Sequence, residues 1–149
     1  MEIVFKKQPG FKLSEKTRNV IVELIISLFI LLFMYTAAAK LMDVKSFAST
    51  LAKSPLIGKL NWVVAWSIPG LEMIITLFLI LPGTKRTGLY ASLLLMTVFT
   101  LYLSYMVLSG SKLPCHCGGV ISTMSWQQHI WFNLGFIGLA IAALTANQK

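Results

Sequence analysis

Four long runs of the chain are almost free of Asp, Glu, Lys and Arg. Between Arg18 and Lys40 only Glu23 interrupts, and between Lys59 and Lys85 only Glu72 does; Thr87 to Ser111 and Leu113 to Gln148 hold no such residue. A helix that crosses a bilayer needs about 20 mostly apolar residues at about 1.5 Å each. The pattern therefore predicts four spans, near 19–40, 62–82, 88–109 and 127–146. The first run is longer than the apolar core of a signal peptide, so a retained helix is expected despite the small run Ala37-Ala38-Ala39 behind it.

Shorter periodicities fill in the connections. Val44, Phe47, Ala48 and Leu51 stand at i, i+3, i+4 and i+7, with Lys45, Ser46, Ser49 and Thr50 on the other faces and Pro55 closing the run. That spacing predicts a short amphipathic helix, lying in the membrane interface or capping the bundle mouth. Leu81-Pro82-Gly83-Thr84-Lys85-Arg86 joins breakers to basic anchors and predicts a tight antiparallel hairpin of the second and third spans. Ser125-Trp126-Gln127-Gln128 carries a capping signal for the fourth helix, in which the Ser side chain accepts from the amide three residues on and Gln128 answers. His129 and Asn133, four apart, then share one face near the start of that helix.

Composition agrees with this picture: of 149 residues, 56% are hydrophobic and 12% charged, about half the charge of a soluble domain. The expected fold class is an all-α membrane protein, a four-transmembrane-helix bundle with a short interfacial helix after the first span. A basic segment, 1–18, precedes a membrane domain over 19–146, which leaves no stretch for a second domain. The net charge of +8 falls between apolar runs, so its partner is the lipid bilayer and not nucleic acid. Lys6, Lys7, Lys12, Lys16, Arg18, Lys85, Arg86 and Lys149 fall on one side, against Lys40, Lys45, Lys53, Lys59 and Lys112 on the other. Positive residues are held in the cytoplasm, so both termini are expected there and the 110–126 loop on the outer side.

That loop contains both cysteines, in Pro114-Cys115-His116-Cys117-Gly118-Gly119. Two cysteines scattered over a chain of this length would take that spacing in only about 1% of placements. A thiol–disulfide pair needs a second sulfur to resolve a mixed disulfide, and polar or cationic neighbours to lower a thiol pKa; His116 and Lys112 supply the latter. A bridge across one residue closes a small, strained and therefore reducible ring. Two other chemistries use the same residues. Cys115, His116 and Cys117, with His129, are soft ligands for monovalent copper or zinc, although an oxidising face works against free thiols. A static disulfide would staple the loop, with little gain from so short a closure.

Glu72 follows Pro69-Gly70 near the centre of the second span. An ionised carboxylate there must face the bundle interior, a partner or water, either in a polar pocket opened by a weakened helix or in a structural pair with Lys40, Tyr35 or Asn133. Trp126, His129 and Asn133 fit interfacial anchors and interhelical hydrogen bonders. His129, twelve residues after Cys117, also fits a base or proton shuttle for the thiols.

Lys40 just after the first helix, Ile68 to Glu72 in the second, Cys115 to Gly119 before the fourth, and Trp126 with Asn133 beyond it resemble the MauE/DoxX-like membrane proteins, over about residues 20–146. The resemblance implies a four-helix protein of a bacterial inner membrane, associated with disulfide redox work. MauE is linked to maturation of a disulfide-rich periplasmic enzyme subunit, and DoxX relatives to quinone-linked oxidation. Carried over by position, Cys115 and Cys117 are the redox pair, and Lys40 and Glu72 the family's charged positions. His116 departs from the small residue expected between the cysteines, and Gly119 stands where an aromatic often precedes the glycine, so a subgroup is implied.

The leading expectation is a membrane thiol–disulfide component. Cys115 and Cys117 exchange a disulfide with a periplasmic, thioredoxin-like or disulfide-containing protein, with electrons passing to or from a carrier such as quinone. His116 and His129 handle protons, while Glu72, Lys40, Asn133 and Trp126 form a polar pocket beneath the loop. The alternatives are a non-catalytic subunit or assembly factor that grips a partner through 41–61 and the cysteine loop, and a copper or zinc carrier.

Overall fold

The structure is a computed structural model that describes residues 14–110 and 124–146. The described residues form five α-helices: α1 (Glu15–Met42), α2 (Val44–Ala52), α3 (Asn61–Ile80), α4 (Lys85–Leu108) and α5 (Trp126–Ala146). All but α2 are long and apolar enough to cross a membrane. The chain is thus a multi-pass membrane protein with four spans and one short helix after the first.

Helix ends differ from the apolar runs for local reasons. The first helix starts at Glu15, inside the basic segment expected over 1–18, because a charged first turn remains helical once it clears the hydrocarbon. The third stops at Ile80, where Pro82 holds Leu81 in extended backbone (φ −74°, ψ 123°). Thr84 closes the turn by donating its hydroxyl to Phe78 O at 2.9 Å. Gly110, at φ 68°, takes the left-handed position beyond Ser109 that commonly ends a helix. At the start of α5 the predicted capping box forms: the Gln128 amide donates to Ser125 Oγ at 3.3 Å, and the Ser125 amide to Gln128 Oε1 at 3.0 Å.

Neighbouring helices in the ring are α1–α3, α3–α4, α4–α5 and α5–α1. The bundle therefore has a turn end, at 81–84, and a loop end, where 111–123 joins α4 to α5. Its buried stripes repeat at alternating steps of four and three: Val22, Ile26, Phe29, Phe33, Thr36 and Lys40 on α1, and Ala65, Pro69, Glu72, Thr76 and Leu79 on α3. Spacing of this kind keeps one seam of each helix facing the bundle axis. Phe29 meets Phe136 edge-on at 5.2 Å in mid-bundle, and Phe132 lies 4.8 Å from Phe136. Leu31, Val63, Leu94, Leu101 and Trp131 are exposed on the outside, as lipid contact requires.

The predicted short helix is present. Asp43 caps α2 by accepting from the Ser46 amide at 3.2 Å, and Phe47, Ala48 and Leu51 bury against Ala65 of α3. The Asn61 side chain donates to Ala48 O at 3.2 Å and fixes α2 across the loop end. At the turn end Lys85 pairs with Glu23 at 2.5 Å, near the surface. The segments 1–13, 111–123 and 147–149 lie outside the described residues, and with them the basic N-terminal stretch and most of the expected 110–126 loop.

Within lipid, helix association depends on close packing more than on water exclusion. A Cβ at Gly88 would stand 2.8 Å from Leu79 Cδ2 and 3.0 Å from the Leu79 backbone nitrogen, whereas one at Gly138 would meet nothing within 4 Å. Gly88→Leu should therefore destabilise the α3–α4 hairpin by about 1–3 kcal/mol. Gly138→Leu should leave stability nearly unchanged, both being read as thermal unfolding in detergent micelles.

Candidate functional site

In an α-helix each Cα–Cβ bond leans toward the helix N-terminus. Lys40, near the end of α1, therefore leans down into the bundle, and Glu72 of the antiparallel α3 leans up toward the loop end. They meet: Lys40 Nζ donates to Glu72 Oε1, with both side chains buried. Of the three pairings open to Glu72, Lys40 is the partner found, and Tyr35 is exposed. The α3 helix runs unbroken from Asn61 to Ile80 with Pro69 inside it, so the site does not depend on an interrupted helix.

Two aromatic rings complete the surroundings of the ammonium. Lys40 Nζ stands 5.6 Å from the Phe99 ring centroid on α4 and 6.0 Å from that of Phe47 on α2. Both are within reach of a cation–π attraction, which gains strength where water is absent. The Phe99 ring also lies 6.5 Å from that of His129. His129 and Asn133 share the inward face of α5, as their spacing predicts, and both are buried.

Lys40, Glu72, His129 and Asn133 line one pocket with Thr36 and Phe99, over a floor that includes Phe33, Met96 and Phe132. Its room is about 40 Å³, space for a few water molecules. The Thr36 hydroxyl turns to Phe33 O at 3.3 Å, and Thr76 donates to Glu72 O at 2.8 Å. Glu72 Oε2 and Asn133 Nδ2 have no hydrogen-bond partner among the described residues.

The structure thus brings together four of the eight residues singled out in the sequence. Trp126, half-buried at the first position of α5, is not among the lining residues. Cys115, His116 and Cys117 lie outside the described residues. Thr36 was missed, although it falls on the same stripe as Phe33 and Lys40; Phe99 and Phe132 carry no polar signal that would single them out. No group of His, Cys, Asp and Glu able to hold a metal ion occurs among the described residues.

Residues 18–146, all of the bundle but the first residues of α1, match the family described as methylamine utilisation protein MauE. The chain belongs to the MauE family. No curated protein and no solved structure matches it. This MauE-family chain therefore carries its ion pair, imidazole and amide within the family's matched region, at the end of the bundle where the cysteine segment joins α4 to α5.

Breaking a buried ion pair leaves an uncompensated charge, at a penalty of about 3–5 kcal/mol. Lys40→Met should lower stability by that order, and the double variant Lys40→Met/Glu72→Leu should recover most of it. Unfolding in detergent, run as a double-mutant cycle, measures both.

Proposed function

We propose that this MauE-family membrane protein is a thiol–disulfide exchange component, with Cys115 and Cys117 as its reacting groups. The observation that carries this function is their placement: the only two cysteines of the chain stand on either side of His116, in the segment that joins two spans at the pocket end of the bundle. A sulfur of the pair, as thiolate, attacks a disulfide of a thioredoxin-like or other disulfide-containing client. One client sulfur leaves as a thiolate, and a mixed disulfide forms. The second cysteine then attacks that bond, giving the Cys115–Cys117 disulfide and a dithiol client. Two electrons have passed from the pair to the client, and the two protons lost by the thiols end on the client sulfurs. The reverse direction uses the same steps.

Protons must be taken up and returned near the sulfurs, and an imidazole titrates in the physiological range. His116, between the cysteines, and His129, in the first turn of α5, fill that role. Lys40 and Glu72 build the polar pocket beneath. A lipid-soluble carrier of the quinone class restores the pair by taking up or releasing two electrons and two protons. The excess of Lys and Arg at the N-terminus and the 81–86 turn supports cytoplasmic termini in a bacterial inner membrane, with the cysteines on the periplasmic side.

Mass-tag alkylation of native membranes, with and without prior reductant, reads the redox state of the pair. A mixed population that shifts when the quinone pool is reduced is the expected result. Cys115→Ser or Cys117→Ser should abolish exchange, and one of the two should accumulate a client as a mixed disulfide. Wild-type disulfide formation in a strain that depends on this protein but carries both substitutions would overturn the proposal.

A further inference from the structure

Two polar atoms in the pocket lack partners among the described residues. Glu72 Oε2 is an acceptor and Asn133 Nδ2 a donor, on residues only 4% and 3% exposed. Leaving such groups unsatisfied is expensive, more so in the low dielectric of a bundle interior. A ligand that satisfies both must donate and accept at once. The cavity offers about 40 Å³, whereas one bound water needs about 10–15 Å³ and two to four polar partners. Water matches both the size and the hydrogen-bonding demand.

We propose that this pocket is a hydrated proton site, in which bound water bridges Asn133 Nδ2 and Glu72 Oε2 and passes protons between His129 and the Glu72 carboxylate. Lys40 occupies Oε1, which leaves Oε2 as the accepting atom. In the transfer an O–H bond of the water breaks as one forms on Oε2, and the His129 imidazolium returns a proton to the water. Glu72 and His129 both end neutral while Lys40 keeps its charge, so the net charge of the pocket does not change.

The charged and titratable groups that face Glu72 support this exchange. They are Lys40 from α1 and His129 from α5; α4 contributes Leu95, Met96 and Phe99, none of which titrates, and α2 contributes the Phe47 ring beside Lys40. Asn133 positions the water and does not itself exchange a proton. The site shares His129 with the thiol chemistry proposed above, but neither its water nor its proton exchange needs the cysteines, and it goes beyond that chemistry.

The test uses the full chain in proteoliposomes. In radiolytic hydroxyl-radical footprinting, bound water generates the radical that labels its neighbours. Phe99 and Phe132 should be labelled several-fold faster than Phe29, which sits in the fully buried core, and Asn133→Leu should bring them down to its rate. Labelling of all three at the Phe29 rate in the wild type overturns the bound water.

Infrared spectra recorded across a pH titration then read the proton. A protonated-carboxyl stretch should titrate, shift in Asn133→Leu and vanish in Glu72→Gln. Where Glu72→Gln does not fold, Lys40→Gln/Glu72→Gln removes both charges together and gives the same reading. A titrating band that survives loss of Glu72, or none over the range in which the protein stays folded, overturns proton transfer to Glu72. Protein with both cysteines replaced by Ser should give the same labelling and the same band, so failure of this site and failure of thiol exchange are separate results.

Discussion

A carboxylate in the hydrocarbon of a bilayer must find a counter-charge, and Glu72 finds Lys40 across the α1–α3 interface. The other contacts of the loop end are arranged around that pair. The ammonium sits between the rings of Phe47 and Phe99, so the same charge that neutralises Glu72 also draws α2 and α4 inward. Asp43 begins α2 three residues after Lys40, and Asn61 ties the start of α3 back to Ala48. The short helix is thereby held over the polar pocket by apolar burial, a side-chain hydrogen bond and the edge of the ion pair's field. Below the pocket the interior becomes mostly apolar, with Phe29 and Phe136 in mid-bundle and Leu79 nearer the turn, and the buried Thr76 and Ser92 hydroxyls turn back to carbonyls of their own helices.

Much of this was legible in the sequence because lipid leaves so few options. Backbone groups must be satisfied within each span, so apolar runs of the required length, nearly free of charge, read as helices. Their ends shifted by a few residues, where caps and Pro82 decide and hydropathy does not. The site was legible in one dimension: Lys40, Glu72, His129 and Asn133 all occupy the inward seam of their helices, which the alternating steps of four and three already mark. The pairing itself was not legible. Whether Glu72 meets Lys40, Tyr35 or Asn133 depends on the axial offset between helices, and a periodic pattern contains no offset. Thr36 could have been found from the α1 stripe. The link between Glu23 and Lys85 joins residues far apart in sequence, and nothing local announces it. Trp126 shares a side with His129 but begins the helix, one turn closer to its end, and so misses the pocket.

Membership of the MauE family and the geometry of the pocket constrain the chemistry from different directions. The match covers the whole bundle, from the first turn of α1 to the last residue of α5. Inside it, the buried ion pair, imidazole and amide all lie toward one end. A bundle needed only as an anchor would not require a buried imidazole, amide and ion pair together, since each must be desolvated when the helices close. Their convergence at the end where the cysteine segment is attached is the reason the proposed chemistry is assigned to that end.

The ion pair also bears on why the bundle closes in one register. Apolar stripes that repeat every seven residues fit one another nearly as well after a slip of one heptad. Seven residues before Lys40 on the α1 stripe is Phe33, fully buried in the bundle. A slip that set Phe33 opposite Glu72 would leave the carboxylate against an aromatic ring and the ammonium without its acceptor, two buried charges uncompensated at once. Apolar replacements can match or exceed the stability of a buried pair, but they carry no such discrimination. Lys85 and Glu23 apply a second, weaker check at the opposite end, since that pair is partly solvated and the free energy lost on breaking it is correspondingly small. The seam of α1 is thus read at both ends, strongly where the pocket lies and loosely where the hairpin turns. That places the fixed reference for the bundle beside the residues to which the proposed chemistry is assigned.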